Sequence, residues 1–257
     1  MTALYAIPSW LLLILAIVVF AAFGCAALWA IRRVFPDVDF IEHNGIIAPF
    51  TGISGSLFAV TVAFIIAIVW QEYDGTQQRV ATEVAAAKDL WHVAAGLPQP
   101  LQSRVRTTLF DYAKLMVHSE WPAMRAGGDS RPAEVELAAV YEDVVRFRPA
   151  QPGESTVQSA AIADFNQIRT TRQSRINDNR RGIGGFEWAT LLFGSVIVIG
   201  LCCMVGLQNL RAHYILTAAV VAMIAATFVL IFELDYPFRG DLSVAPTGWQ
   251  EFLDANR

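Results

Sequence analysis

The composition of the chain is unusually apolar. It has 257 residues, of which 55% are hydrophobic and 16% are charged, whereas about 25% of the residues in a soluble domain are charged. The formal net charge is -4. These values exclude an ordinary soluble domain. The net charge says little about partners, because it is summed over compartments, and we expect no nucleic-acid partner.

The shortage of charge is concentrated in four stretches that contain no Asp, Glu, Lys or Arg. They cover residues 7–31, 44–71, 188–210 and 212–232. A helix needs about 20 apolar residues to cross roughly 30 Å of hydrocarbon, and it satisfies its own backbone hydrogen bonds. The sequence therefore predicts an all-α integral membrane protein with four transmembrane helices. The first stretch lacks a basic segment before it and a small-residue cleavage site after it, so we interpret it as a retained span.

The four predicted spans divide the chain into four segments. We expect transmembrane helices 1 and 2 in residues 1–71, a helical cytoplasmic domain in 72–185, transmembrane helices 3 and 4 in 186–235, and a cytoplasmic C-terminal tail in 236–257.

The second span has no helix breaker at its end. Apolar residues continue beyond it at steps of three and four, which is typical of an amphipathic helix. We therefore expect one continuous helix from Pro49 to Ala95, roughly 70 Å long at 1.5 Å per residue. The alternative is two helices with a kink near Gly75.

Three more helices are predicted before the third span. The first covers residues 101–121 and is ended by Pro122, and the second covers residues 133–147. The third begins at Ser155, which forms a capping-box pattern with Gln158, and it reaches Arg181. No strand pattern is present, so the predicted fold class is all-α.

The distribution of Lys and Arg predicts the orientation in the membrane. The segment between the second and third spans contains 14 of the 19. Basic residues near spans favour the cytoplasmic side, so we expect both termini and the large domain to be cytoplasmic, in a bacterial inner membrane. Arg32 and Arg33 follow the first span and favour the opposite orientation for that span alone.

The sequence contains no pattern typical of catalysis or of a cofactor site. Nucleophile-elbow, P-loop and dinucleotide-binding motifs are absent, and the three cysteines lack metal-ligand spacing. The four histidines are far apart in the sequence. We therefore expect no enzymatic activity, no metal and no cofactor.

One helical stripe of the second span is the candidate pore lining. It begins with hydroxyl groups, has a bulky apolar middle and ends in a carboxylate. If several copies surrounded an axis, this stripe would line a pore with an apolar constriction, and such constrictions can gate by dewetting. The alternative is that its bulky residues only pack in the bundle core. The stripe consists of Thr51, Ser54, Phe58, Thr61, Ile65, Ile68 and Glu72.

An acidic turn follows the fourth span. Glu233 and Asp235 come at the C-terminal end of a helix, where carboxylates oppose the helix dipole, and Asp241 follows shortly after. This placement predicts a compensating partner, either Arg239, an arginine of the large domain or a cation. An ordinary solvated turn is the alternative.

Three short motifs resemble those of a known family. The sequence PFRGD at residues 237–241 is similar to the Pro-Phe-Gly-acidic turn of bestrophins. Together with EWP at 120–122 and NG at 44–45, it resembles the bestrophin-like family of bacterial membrane proteins in order and spacing. The resemblance covers about residues 44–253. It implies an oligomeric ion channel, typically a pentamer, with four spans per subunit, a helical cytoplasmic domain, and a pore lined by the second span.

The chain departs from animal bestrophins immediately after that turn. Those proteins carry a run of acidic residues that helps to bind calcium, whereas this chain has Asp241 followed by Leu242 and Ser243. The departure argues against gating by calcium. Ion choice is not decided by bulk charge, because residues 71–185 contain 14 basic and 14 acidic residues. A ring of Glu72 would favour cations, whereas the resemblance implies anions.

Our leading hypothesis is a homo-oligomeric bestrophin-like channel in the lipid bilayer that conducts small inorganic ions, with anions favoured. A cation-selective channel is one alternative. A non-conducting membrane protein whose helical domain docks a partner or senses the membrane is the other.

Overall fold

The structure is a computed structural model that describes residues 4–257, apart from the side chain of Ala6. Helices form almost all of this range, and it contains no strand. The helices are α1 (Ser9–Val34), α2 (Asn44–Val93), α3 (Leu101–Leu115), α4 (Trp121–Arg125), α5 (Arg131–Arg146), α6 (Pro152–Arg180), α7 (Gly185–Met204), α8 (Leu210–Asp235) and α9 (Thr247–Ala255). The predicted all-α fold class is confirmed.

The chain divides into two compact units. The membrane unit comprises residues 4–71 and Ile183–Asp235, and the extramembrane unit comprises Glu72–Gly182 and Tyr236–Arg257. Four helices are long and apolar enough to cross a membrane, namely Ser9–Val34, Asn44–Gly96, Gly185–Met204 and Leu210–Asp235. The four predicted spans are therefore confirmed.

The second of these helices confirms the predicted continuous rod. Helix α2 extends without a break from Asn44 to Val93, and a short 3₁₀ turn, Ala94–Gly96, completes it. Pro49 lies inside the helix close to its start, and the helix passes through Gly75 without interruption. The alternative of a kink near Gly75 is not realised, because glycine lowers helix stability by only about 1 kcal/mol relative to alanine.

Helices α1 and α8 pack closely in the membrane unit. A Cβ atom on Gly24 would lie 2.7 Å from Cγ2 of Val221, so only glycine allows this approach. The rings of Phe20 and Phe228 meet edge to face nearby, with centroids 6.1 Å apart. Small residues at such contacts let two helix backbones approach each other, which is how transmembrane helices associate in lipid.

The extramembrane unit has its own hydrophobic core. Tyr112 of α3 and Trp249 of α9 are fully buried, and their rings meet edge to face at 5.4 Å. Phe252 of α9 is also fully buried, against both Trp249 and Trp91. Residues after the last span therefore contribute directly to this core.

Two predicted helix boundaries were wrong. Pro122 does not end the helix that begins at Leu101. The chain continues through a π-helical stretch, Met116–Glu120, into α4, and Pro122 lies in the first turn of α4. Proline is tolerated there because the N–H that it lacks would have no partner in that helix.

Helix α6 begins at Pro152, three residues before the predicted Ser155. Its start is capped by Glu154, whose carboxylate accepts hydrogen bonds from the backbone N–H groups of Ala150 and Gln151. A carboxylate in this position also interacts favourably with the helix dipole.

Candidate functional site

The rest of the chain covers only one side of the membrane part of α2. Val69 is buried, and the opposite side carries large apolar side chains with more than half of their surface exposed. They include Ile53 (67%), Leu57 (69%), Phe64 (67%) and Ile68 (55%). Their spacing of four, seven and four residues places them along one face of the helix.

Most of the predicted pore stripe lies beside this exposed face, and Ile68 is the residue that the two share. Ile65 is buried at 8% exposure. The ring of Phe58 lies against Gly194 of α7, where an added Cβ atom would be 2.5 Å from the ring. Ile68 and Glu72 are exposed. Phe58 and Ile65, the two bulky mid-span members of the stripe, therefore pack against the chain's own helices.

The hydroxyl members of the stripe are partly buried. Thr51 donates to the carbonyl oxygen of Ile47 at 2.8 Å, and Thr61 donates to that of Leu57 at 3.0 Å. Ser54 is also half-buried. Because the threonine hydroxyls bond to the backbone of their own helix, their donor capacity is already used.

A face of small residues flanks the exposed line on α2. A Cβ atom added to Gly52 or Gly55 would meet nothing within 4 Å. Ala59 and Ala63 continue this face and line an apolar groove of about 440 Å³ whose other wall includes Met223 of α8. This side of α2 is therefore open in the isolated subunit.

Two hydrogen bonds of the Asn44 side chain connect the start of α2 to the segment between α7 and α8. Its side-chain amide donates to the carbonyl oxygen of Gly206 at 2.7 Å, and its side-chain oxygen accepts from the N–H of Gly206 at 2.8 Å. A Cβ atom on Gly206 would lie 2.3 Å from the backbone nitrogen of Ile41. The glycine and the asparagine thus form one paired contact, and Asn44 belongs to a motif that the sequence analysis singled out.

Glu72, the carboxylate at the end of the stripe, lines a small charged pocket. The pocket has a volume of about 120 Å³ and is also lined by Arg79, Asp178 and Arg181. Arg79 donates to Asp178 at 2.8 Å, and Thr76 donates to the same carboxylate oxygen at 3.2 Å. Two carboxylates and two guanidinium groups therefore balance in formal charge.

Asp178 is the more buried of the two carboxylates in this pocket. Burial raises the pKa of Asp178 above its ordinary value, and the neighbouring Arg79 opposes that effect without cancelling it. A buried carboxylate with a raised pKa exchanges protons at a higher pH than a solvated one.

The three carboxylates of the acidic turn at the end of α8 differ in their exposure to solvent. Glu233 and Asp235 are buried at 3% and 6% exposure, whereas Asp241 is exposed. Asp235 accepts a hydrogen bond from the backbone N–H of Ile183. The predicted contact with an arginine stays a prediction. Arg239 lies over the ring of Tyr236, with 4.2 Å from its guanidinium carbon to the ring centroid.

Sequence reasoning missed a buried ionic network in the extramembrane unit. Arg175 is fully buried and donates to Glu83 through Nε at 2.7 Å and to Glu120 through a terminal nitrogen at 3.3 Å. Its guanidinium carbon also lies 4.7 Å from the centroid of the Trp121 ring. Arg172 donates to the second carboxylate oxygen of Glu120 at 3.0 Å.

Tyr112 completes this network. Its hydroxyl donates to Glu83 at 3.0 Å, and burial, reinforced by the Glu83 charge, raises the pKa of Tyr112 well above its ordinary value. The hydroxyl therefore stays protonated and remains a donor. A sequence signal was available, because Arg172 and Arg175 continue the spacing of the buried positions Phe165 and Ile168 on α6.

Comparison with known proteins shows which family this arrangement resembles. The family model of the Bestrophin-like domain matches residues 18–249. A search of curated proteins found no match.

Among solved structures, a bacterial Bestrophin homolog from Klebsiella pneumoniae, determined by Zn-SAD phasing, aligns with a TM-score of 0.65 at 15% identity, covering 95% of this chain and 96% of that one. A point mutant of that homolog aligns with a TM-score of 0.69 at 13% identity, covering 95% and 97%. At these identities the likeness establishes a shared fold.

Proposed function

Because the chain belongs to the Bestrophin-like domain family, we propose that it forms a homo-oligomeric ion channel, with α2 of each subunit lining the pore. The single observation that carries this proposal is the long apolar face of α2 that its own subunit leaves uncovered. A ring of copies, five in number as the family resemblance implies, would bring these faces together around an axis.

We propose that the narrow part of the pore is lined by the residues that directly precede the predicted ones in the sequence. Leu57 and Phe64 replace Phe58 and Ile65 as the narrow points, because they are exposed where the predicted residues contact their own subunit. Ile68 and Glu72 of the original stripe are retained. An apolar ring of this kind conducts only when it is wide enough to stay wet.

We propose that the channel conducts anions. The main argument for cations was a ring of Glu72 charges, and the pocket beside Glu72 contains Arg79 and Arg181 as well as Asp178. Opposite charges within one subunit reduce the negative potential that such a ring would produce. A cation-selective channel remains the alternative within this class, since Glu72 is exposed.

Flux measurements in liposomes test conduction and the choice of face together. Leu57→Ala and Phe64→Ala are expected to raise chloride flux, because they widen the constriction. Phe58→Ala and Ile65→Ala are the matched controls on the neighbouring face and should change flux less. If neither the parent nor the widened variants pass any ion, the channel proposal fails and a non-conducting scaffold takes its place. If only Phe58→Ala and Ile65→Ala raise flux, the original stripe is the pore lining.

Selectivity has a separate test. Glu72→Gln should leave the preference for anions in place and shift the reversal potential by only a few millivolts, because the arginines of the pocket are unchanged. A large shift towards anions, most marked at low salt where screening is weak, would support the cation-selective alternative.

For the location, we propose a bacterial inner membrane with residues 72–185 and both termini in the cytoplasm. Ser155 is exposed in the first turn of α6, so a cysteine there reports the side on which the large domain lies. In a chain whose native cysteines are replaced by alanine, Ser155→Cys should react with an impermeant thiol reagent only after the cells are opened. Labelling in intact cells would reverse the orientation.

A further inference from the structure

The extramembrane unit contains a cleft between α5 and α6 that the channel proposal does not use. Its volume is about 430 Å³, which is within the range of about 300–1,000 Å³ typical of small-molecule sites. We propose that this cleft binds a small organic anion, with a carboxylate or phosphate head group attached to a flat apolar body. The proposal does not depend on ion conduction.

Two arginines of α6 give the cleft its positive end. Arg169 and Arg172 are three residues apart, so they lie on the same face of the helix, and both line the cleft. Arg169 is exposed and has no carboxylate partner within 4.0 Å anywhere in residues 4–257. An unpaired guanidinium with a planar set of donors suits the oxygens of a carboxylate or phosphate.

Arg172 reinforces that charge from a buried position. It is 6% exposed, and one terminal nitrogen donates to Glu120 and to the carbonyl oxygen of Ser130. Its Nε–H has no acceptor within the described part of the chain. Glu120 also accepts from Arg175, so the negative charge of this one carboxylate is shared between two arginines.

The positive end has two amide neighbours and one opposing charge. Asn166 and Gln173 also line the cleft and add polar groups on the same helix. Glu134 of α5 is the carboxylate among the lining residues, and its charge opposes that of Arg169. Counted with the adjoining buried network, three arginines (Arg169, Arg172 and Arg175) balance three carboxylates (Glu83, Glu120 and Glu134). The guanidinium of Arg169, which no carboxylate of residues 4–257 pairs, is therefore what favours an anion over a cation.

The other end of the cleft is apolar and contains an aromatic pair. Tyr141 of α5 and Phe165 of α6 have ring centroids 4.8 Å apart at an interplanar angle of 30°. Leu137 extends this wall, and Tyr141 is still 40% exposed. Flat apolar groups pack well against aromatic faces, which is why we infer a ligand with such a body rather than a bare inorganic ion.

Calorimetric titration of the full chain in detergent tests the inference. Indole-3-acetate and AMP supply a carboxylate and a phosphate head group on flat bodies, and binding of either one supports the proposal. Tryptamine has the indole ring with a positive head group and should not bind. Inorganic phosphate lacks the flat body and should bind at least tenfold more weakly than AMP. Failure of both organic anions to bind, or equal binding of tryptamine or inorganic phosphate, overturns the proposal.

Charge-changing variants place the binding in the cleft. Arg169→Gln should weaken the binding of the organic anion about tenfold, as expected when one charge-assisted hydrogen bond is lost. Arg148→Gln removes another exposed arginine, which does not line the cleft, and should have no effect. Glu134→Gln should tighten binding severalfold, a gain that a folding defect cannot produce. If Arg169→Gln and Arg148→Gln behave alike, or if Glu134→Gln weakens binding, the cleft is not the site.

Discussion

The rings of Trp121 and Phe238 meet edge to face with their centroids 5.8 Å apart. Both residues are buried, and the indole N–H of Trp121 donates to the carbonyl oxygen of Val244 at 2.9 Å. These residues belong to two of the short motifs that first suggested the family, EWP and PFRGD. The contact therefore gives a structural reason for the two motifs to occur together, because the tryptophan of EWP stabilises the turn that contains PFRGD.

Phe238→Ala should lower the free energy of unfolding of the extramembrane unit by about 3–5 kcal/mol, because it leaves a cavity beside Trp121. Chemical denaturation of the detergent-solubilised chain measures this loss. Val135→Ala is the control, since Val135 is 61% exposed and its truncation should change stability by no more than about 0.5 kcal/mol. Equal effects of the two substitutions would show that the ring contact is not stabilising.

The paired contact between Asn44 and Gly206 predicts that alanine substitution destabilises the chain at Asn44 but not at the adjacent Gly45. Asn44→Ala removes two hydrogen bonds and should cost about 1–3 kcal/mol, and Gly206→Ala should cost more, because its Cβ atom would strike the backbone at Ile41. Gly45→Ala is the matched control. Nothing lies within 4 Å of a Cβ atom there, and alanine is the better helix former. Melting temperatures in detergent compare the three, and a larger loss for Gly45→Ala than for Asn44→Ala would contradict this account.

Arg175→Met should destabilise the extramembrane unit by about 3–5 kcal/mol, because it leaves the Glu83 and Glu120 carboxylates buried without their main counter-ion. Adding Glu83→Gln to that variant should restore part of the loss, since one of the uncompensated charges is then removed. Denaturation of the single and double variants measures the coupling between the two residues. Strictly additive losses would mean that the pair is not coupled.

Asp178 predicts a pH dependence of stability. Its folded pKa is raised, so the folded chain holds this proton more tightly than the unfolded chain, whose pKa is about 3.9. The resulting stabilisation is present at low pH and is lost as the pH rises through the folded pKa. Asp178→Asn should therefore flatten the profile of unfolding free energy against pH above about pH 4.

Arg79→Gln provides the complementary test at Asp178, because it removes the charge that opposes the raised pKa. The loss of stability with rising pH should then extend to higher pH than in the parent. A parent profile that is identical to that of Asp178→Asn would contradict the assignment.

The sequence by itself determined the four spans and the all-α class, and it favoured an unbroken α2. The physical reason is that lipid imposes a minimum length of uncharged helix, and this length can be read directly from residues 7–31 or 44–71. The short motifs also identified the family without any coordinates. Helix boundaries were less secure, as at Pro122, because a proline is compatible both with the end of one helix and with the first turn of the next.

Only the tertiary structure decided which side of α2 is covered. Both sides of a helix in lipid are apolar, so periodicity could not distinguish Phe58, which contacts Gly194, from Leu57, which is exposed. The same limit applies to the buried network. Glu83 and Arg175 are 92 residues apart in the chain, and each alone is an ordinary charged residue on a helix. Their role follows from the packing that excludes water from both, because a buried charge requires a partner.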